Sequence, residues 1–123
     1  MAYVDGFLLP VPKKNLTAYA RMSKQAGKVW REHGALEYKE CAGDDVEIKK
    51  KGMGVAFPRL LRLKRGEVPV FAFIVYKSRA HRDRVNAKVM ADPRIRGMMN
   101  DEKMPFDVKK MAYGGFRVIV DAA

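Results

Sequence analysis

Apolar and polar positions alternate from Tyr3 to Leu9. Val4, Gly6 and Leu8 fall on one side and Tyr3, Asp5, Phe7 and Leu9 on the other, the period-two pattern of a strand. Pro10 and Pro12 are expected to end it. From about Asn15 to His33 the period changes: Leu16, Tyr19, Met22, Ala26, Val29, Trp30 and His33 recur at spacings of three and four and make one helical stripe. Lys14, Arg21, Lys24, Lys28 and Arg31 lie mostly off it, and Gly34 stands where a C-terminal glycine stop belongs. Residues 35–41 (ALEYKEC) read as a second strand of mixed polarity, suited to a sheet edge. Residues 43–67 are irregular, with acids, then Lys49, Lys50 and Lys51, flexible points at Gly52 and Gly54, and an amphipathic turn near Pro58 made by Phe57, Leu60 and Leu61.

Residues 68–76 (VPVFAFIVY) are apolar on both faces, the pattern of a central strand, with Pro69 confined to its start. Ser78 is placed to cap a helix reaching about Ala91, and Asp92-Pro93 to start a short one through about Met99. Residues 113–120 (YGGFRVIV) supply a last strand. The order β-α-β-β-α-β predicts an α+β domain spanning residues 1–123, with no linker to divide it. Its expected form is a four-stranded antiparallel sheet carrying helices on one face, the ferredoxin-like arrangement, with the first and third strands central.

Two helices cover one face of such a sheet, so the other face needs a partner. With Val4 and Leu8 assigned to the helices, Tyr3, Phe7 and Leu9, together with Asp5, are expected on the bare side. In the third strand both alternating sets are apolar. A monomer rarely leaves such a patch in water. A second copy packing sheet against sheet about a two-fold axis is the expected remedy.

Composition narrows the class. Apolar residues make up 48% of the chain and charged residues 32%, which is globular rather than disordered. No apolar run approaches the roughly 20 residues of a membrane span. The N-terminus has its charges in the wrong order for a signal peptide, and the single cysteine, Cys41, excludes an intrachain disulfide. A cytoplasmic protein is expected. The net charge of +11 attracts phosphates and nucleic acid.

The stretches YVDGFLLPVPKKNL, AGKVWREHGALEY, FIVYKSRAHRDRVNAKVMADPR and MPFDVKKMAYGGF, which span nearly the whole chain, resemble a family of small uncharacterised bacterial proteins typified by YbaA, a domain of unknown function. That family is similar to the dimeric α/β-barrel superfamily, in which two ferredoxin-like sheets share a barrel. The resemblance therefore implies a homodimer. It brings no established reaction and no catalytic residues. The superfamily includes cofactor-independent monooxygenases and isomerase-like enzymes, but fold analogy does not transfer chemistry.

The basic segment 77–94 lacks the geometry of a nucleic-acid helix. At 100° per residue from Arg79, Arg82 falls at about 300°, Arg84 at about 140° and Lys88 at about 180°, while Val85 and Val89 occupy about 240–280°. The charges surround the helix instead of forming a stripe, and no paired aromatic motif of an RNA-recognition module is present. Nonspecific attraction to nucleic acid in low salt is what this charge supports. His81, at the third helical position, is a candidate base kept neutral by the helix N-terminus, or else a histidine packed at the sheet edge.

His33, His81 and Cys41 have no metal-ligand spacing, and no P-loop, dinucleotide fingerprint or serine-nucleophile motif occurs. No metal and no cofactor is expected. What remains is set by the fold. Asp5 would face the barrel interior beside Tyr3 and Phe7, and pairing of first and last strands would bring Arg117 near it. Tyr38 and Glu40 would point inward from the second strand, and Tyr113 shares the side of Arg117. Asp5 is then either a general base or half of a buried ion pair that fixes register. Asp5, Arg117 and His81 are the catalytic candidates; Tyr3, Phe7, Tyr38 and Tyr113 are the ligand-binding ones. The methionine-rich stretch 98–111 is either an adaptable lid or soft packing. Three functions follow: a homodimer binding a small organic molecule in a cleft between sheet and helices, a basic RNA-associated accessory protein, or a structural dimer with no ligand site. The residues assign no reaction.

Overall fold

In the computed structural model, which describes residues 1–48, 50, 52–99 and 104–122, four antiparallel strands form one sheet. They are β1 (Tyr3–Pro12), β2 (Glu37–Ala42), β3 (Glu67–Tyr76) and β4 (Ala112–Arg117). The spatial order is β2-β3-β1-β4, which places β1 and β3 at the centre, as expected of a ferredoxin-like chain. Helix α1 (Leu16–Glu32) joins β1 to β2, the one-turn α2 (Phe57–Leu60) lies between β2 and β3, and α3 (Arg79–Ala91) and α4 (Pro93–Met99) lead from β3 to β4. Lys49, Lys51 and residues 100–103, which belong to the lysine run and the methionine-rich stretch, lie outside the described residues.

Strand β1 does not end at its prolines. It runs on to Pro12, with Pro10 opposite Pro69. Lys13 N donates to Gly66 O (2.7 Å), so on this stretch the odd-numbered residues of β1 point their N–H groups at β3 and the even ones point away. β4 stops opposite Leu8. The missing N–H of Pro10 and of Pro12 therefore faces an edge with no strand beside it, and no ladder bond is lost. On β3, Pro69 still contributes its carbonyl, which accepts from Gly43 N at 2.8 Å.

Local chemistry sets the helix ends. Ser78 caps α3 by accepting from His81 N at 3.1 Å. α1 stops at His33, and Gly34 adopts φ +115°, a backbone state that a side chain disfavours. Asp92 Oδ1 accepts from Arg94 N at 2.9 Å at the start of α4. β4 is shorter than the expected 113–120. Beyond Arg117 the chain leaves the sheet, although Val118 N still donates to Ala2 O at 3.1 Å.

The facing of β1 is the reverse of the sequence expectation. Tyr3, Asp5, Leu9 and Val11 are buried on the helix side, and Val4, Gly6 and Leu8 look outward. The odd set wins because it carries the larger apolar groups once the strand extends to Val11. Its one charge, Asp5, is matched by polar side chains from α3. Two clusters flank the middle of the helix face. One is built on Tyr3, Val29, Ile74, Tyr76, Val85, Val89 and Ile95, the other on Leu9, Val11, Tyr19 and Val70. The opposite face presents Val4, Leu8, Phe73 and Val75 half-buried, with Phe71 47% and Phe116 61% exposed. An apolar face of this kind was expected, but its residues are the even-numbered ones of β1.

Candidate ligand-binding site

Between the two clusters lies a cavity of about 660 Å³. Its floor is two cross-strand rows of the sheet: Tyr38, Ile74, Asp5 and Gly115 in one, Glu40, Ala72, Phe7 and Tyr113 in the other. α1 supplies Met22, Ser23, Ala26 and Trp30, spaced so that they share one helix face. α3 adds Arg82, Asn86 and Met90, and α4 adds Ile95, Met98 and Met99. Met104, Phe106 and Met111 complete the wall, the loop being tied to α1 by Asn15 Nδ2 donating to Pro105 O at 3.1 Å. Gly27 lets α1 lie this close: a Cβ there would sit 2.6 Å from the Tyr38 ring.

Two polar constellations stand in this apolar box. In the first, Arg82 Nη1 donates to Asp5 Oδ1 at 3.1 Å, its Nη2 reaches Tyr3 Oη at 3.4 Å, and its guanidinium lies 4.9 Å from the Tyr3 ring centre. Asn86 Oδ1 accepts from both Trp30 Nε1 and Tyr76 Oη, each at 3.1 Å. This fixes the amide orientation and turns Nδ2 toward Asp5 Oδ2 at 3.4 Å. Burial and the Asp5 charge push the Tyr76 hydroxyl well above the usual tyrosine range, so it remains a donor. Asp5 is therefore a buried carboxylate held at both oxygens.

In the second, Glu40 Oε1 accepts from Tyr19 Oη at 2.7 Å and Oε2 from Tyr38 Oη at 2.8 Å. Burial first, and then the Glu40 charge, drive both hydroxyls far above their ordinary value. Both stay protonated and donate. Rings close over this corner: Trp30 lies 6.0 Å from Tyr38 and Phe106 is edge-on to Tyr19 at 5.4 Å.

The structure brings Asp5, Phe7, Tyr38 and Tyr113 to the cavity wall, between sheet and helices rather than inside a sheet–sheet barrel. Tyr3 sits behind Arg82, beside the cavity. Arg117 does not meet Asp5. It pairs with Tyr3, one row along, and borders a separate depression with Met1, Arg79, Phe116 and Ile119. The first and last strands do pair antiparallel, but the cation at Asp5 is Arg82. His81 is not on the cavity wall. Its Nδ1 accepts from Lys77 N at 2.9 Å while its own N–H is capped by Ser78, so the ring ties down the start of α3. Burial, with Lys77, Arg84 and Lys88 nearby, holds it below the ordinary histidine value. Trp30, Asn86 and the Tyr19–Glu40 bond escaped the sequence reading as site features. A signal for the α3 pair existed: Arg82 and Asn86, one helical turn apart, share the arc of Val85 and Val89. Among the described residues no group of three or more His, Cys, Asp or Glu side chains is arranged to hold a metal ion, and no helix is long and apolar enough to cross a membrane.

A ferredoxin-like sheet with an apolar, carboxylate-bearing cavity under its helices defines the class. Residues 2–108 match the family model described as protein of unknown function DUF1428, and the chain belongs to that family. Uncharacterized protein YbaA of Escherichia coli K12 is 40% identical over 121 residues, covering 98% of this chain and 99% of the relative. Its Shigella flexneri counterpart aligns to the same extent. Among solved structures, Rv0793 from Mycobacterium tuberculosis superposes with a TM-score of 0.62 at 10% identity over the full length of both chains. A point mutant of SnoaB, a cofactor-independent oxygenase from Streptomyces nogalater, gives 0.54 at 11% identity, covering 98% of this chain and 96% of its own. A dimeric ferredoxin-like protein from an uncultured marine organism gives 0.53 at 12%, covering 98% and 99%. At these identities the likeness concerns the fold.

Proposed function

We propose that the chain is a cytoplasmic homodimer whose protomers each bind a small, largely apolar organic molecule in the cavity between sheet and helices. The cavity carries the proposal: its volume of about 660 Å³ suits a drug-sized ligand, and its apolar walls hold a few convergent polar groups. The outer sheet face supports the dimer. Phe71, Phe73, Val75, Val4, Leu8 and Phe116 form one apolar surface, rimmed by Glu37 and Lys39 on β2, and a similar fold is known as a dimeric ferredoxin-like protein. A free, exposed Cys41 suits a reducing compartment. The proposal assigns binding and no reaction; the oxygenase neighbour shares the fold alone. The positive surface adds salt-sensitive attraction to nucleic acid, without the stripe that specific recognition needs.

Mass spectrometry of the protein purified under native conditions, then denatured, is expected to release a small molecule in near-stoichiometric amount. Asp5→Asn, which weakens the Arg82 pair at the cavity floor while keeping the side chain's shape, should lower that retention at least about tenfold with the dimer intact. Retention equal to that of the natural chain would remove Asp5 from the site.

A further inference from the structure

Among the described residues the cavity lining carries net negative charge inside a strongly basic chain. These residues include two carboxylates, Asp5 and Glu40, against one guanidinium, Arg82, a formal sum of −1 where the whole chain carries +11. Asp5 has its cation. Glu40 has two neutral tyrosine hydroxyls, and among the described residues no Lys, Arg or His nitrogen lies within salt-bridge distance of it. Two hydrogen bonds, at 2.7 and 2.8 Å, hold both of its oxygens but bring no opposite charge to them, a costly arrangement in apolar surroundings. The groups beside it are those that favour cations. Trp30, Tyr38 and Tyr19 supply aromatic rings to the wall, and Met22, Met90 and Met98 supply polarisable, adaptable thioethers. A small inorganic cation would lose its hydration for too few oxygen ligands here. A cation that carries its own apolar body loses little. Surface lysines and arginines do not override this, because charges beyond about 8 Å are screened at physiological salt while Glu40 sits at the wall.

We propose that the cavity selects organic cations, molecules with an apolar and preferably aromatic body bearing one amine or quaternary ammonium group, with Glu40 as the counter-ion. This rests on the cavity being a ligand site, and the test separates the two claims. Trp30 is the chain's one tryptophan and lines the cavity, so its fluorescence reports occupancy. The probes are 4-tert-butylbenzyltrimethylammonium and its neutral isostere with carbon in place of nitrogen, titrated at about 0.15 M salt. The cation is expected to bind at least about tenfold more tightly than the isostere, and Glu40→Gln to reduce that preference below about threefold. Equal affinities in the natural chain, or a preference that survives Glu40→Gln, would overturn the cation assignment and leave the cavity a neutral-ligand site. No saturable binding of either probe would defeat both.

Discussion

Replacing Arg82 by alanine is expected to destabilise the fold by about 3–5 kcal/mol, the usual cost of stranding one member of a buried ion pair. Asp5 is 6% exposed and would lose its 3.1 Å partner, keeping the longer 3.4 Å amide bond from Asn86. The Tyr3 ring would lose the guanidinium that lies against it. With a urea dependence of about 1–3 kcal/mol per molar, the unfolding midpoint should fall by more than about 1 M. The double variant Asp5→Leu with Arg82→Met should recover much of the loss, since an apolar pair of similar volume strands no charge. Urea titrations of the three proteins check both statements. If the double variant is as unstable as Arg82→Ala or more so, the pair is not the reason for the loss.

The second large effect concerns the outer face. Phe73 lies at its centre, between Gly6 of β1 and Lys39 of β2. Phe73→Glu places one carboxylate in the proposed interface per protomer, hence two about a two-fold axis, and the neighbouring Lys39 is already paired with Glu37 at 3.1 Å. At about 3–5 kcal/mol each, the two should weaken dimerisation by at least roughly 10⁴-fold. Sedimentation at micromolar concentration should show the natural chain at twice its 14.0 kDa mass and the variant at 14.0 kDa. Because Phe73 points away from the cavity, each variant protomer should still fold.

Patterns that are long and one-sided were legible in the sequence. The stripe from Leu16 to Trp30, the doubly apolar run ending at Tyr76 and the Ser78 cap each had one sensible interpretation, and together they set the β2-β3-β1-β4 sheet. β1 was harder. Both of its alternating sets are mostly apolar, so periodicity does not say which faces the helices. The answer depended on Val11 beyond a proline and on a charge from α3, neither of which is local to the pattern. Arg82 shows the same limit. Its angular position beside Val85 and Val89 was readable, but its role depends on Asp5, 77 positions away in the chain. Tyr38 and Glu40 are expected on the same sheet face as Asp5, and they do share it, but that face lies under the helices and not inside a sheet–sheet barrel. Their partner Tyr19 looked like one more member of a helical stripe, because a hydrogen bond between α1 and β2 leaves no trace in spacing. His81 lies off the cavity wall, and its ring accepts from Lys77 N at the start of α3.

Uptake of an apolar molecule into the space between sheet and helices can be measured directly. The neutral dye N-phenyl-1-naphthylamine, followed by its own emission and by quenching of Trp30, serves as the probe. Ala26→Phe, which fills the cavity from α1, serves as the control. Saturable binding of one dye per chain is expected for the natural protein, and at least about tenfold weaker binding for the filled variant. Unsaturable binding, or equal binding by both proteins, would contradict a ligand site there.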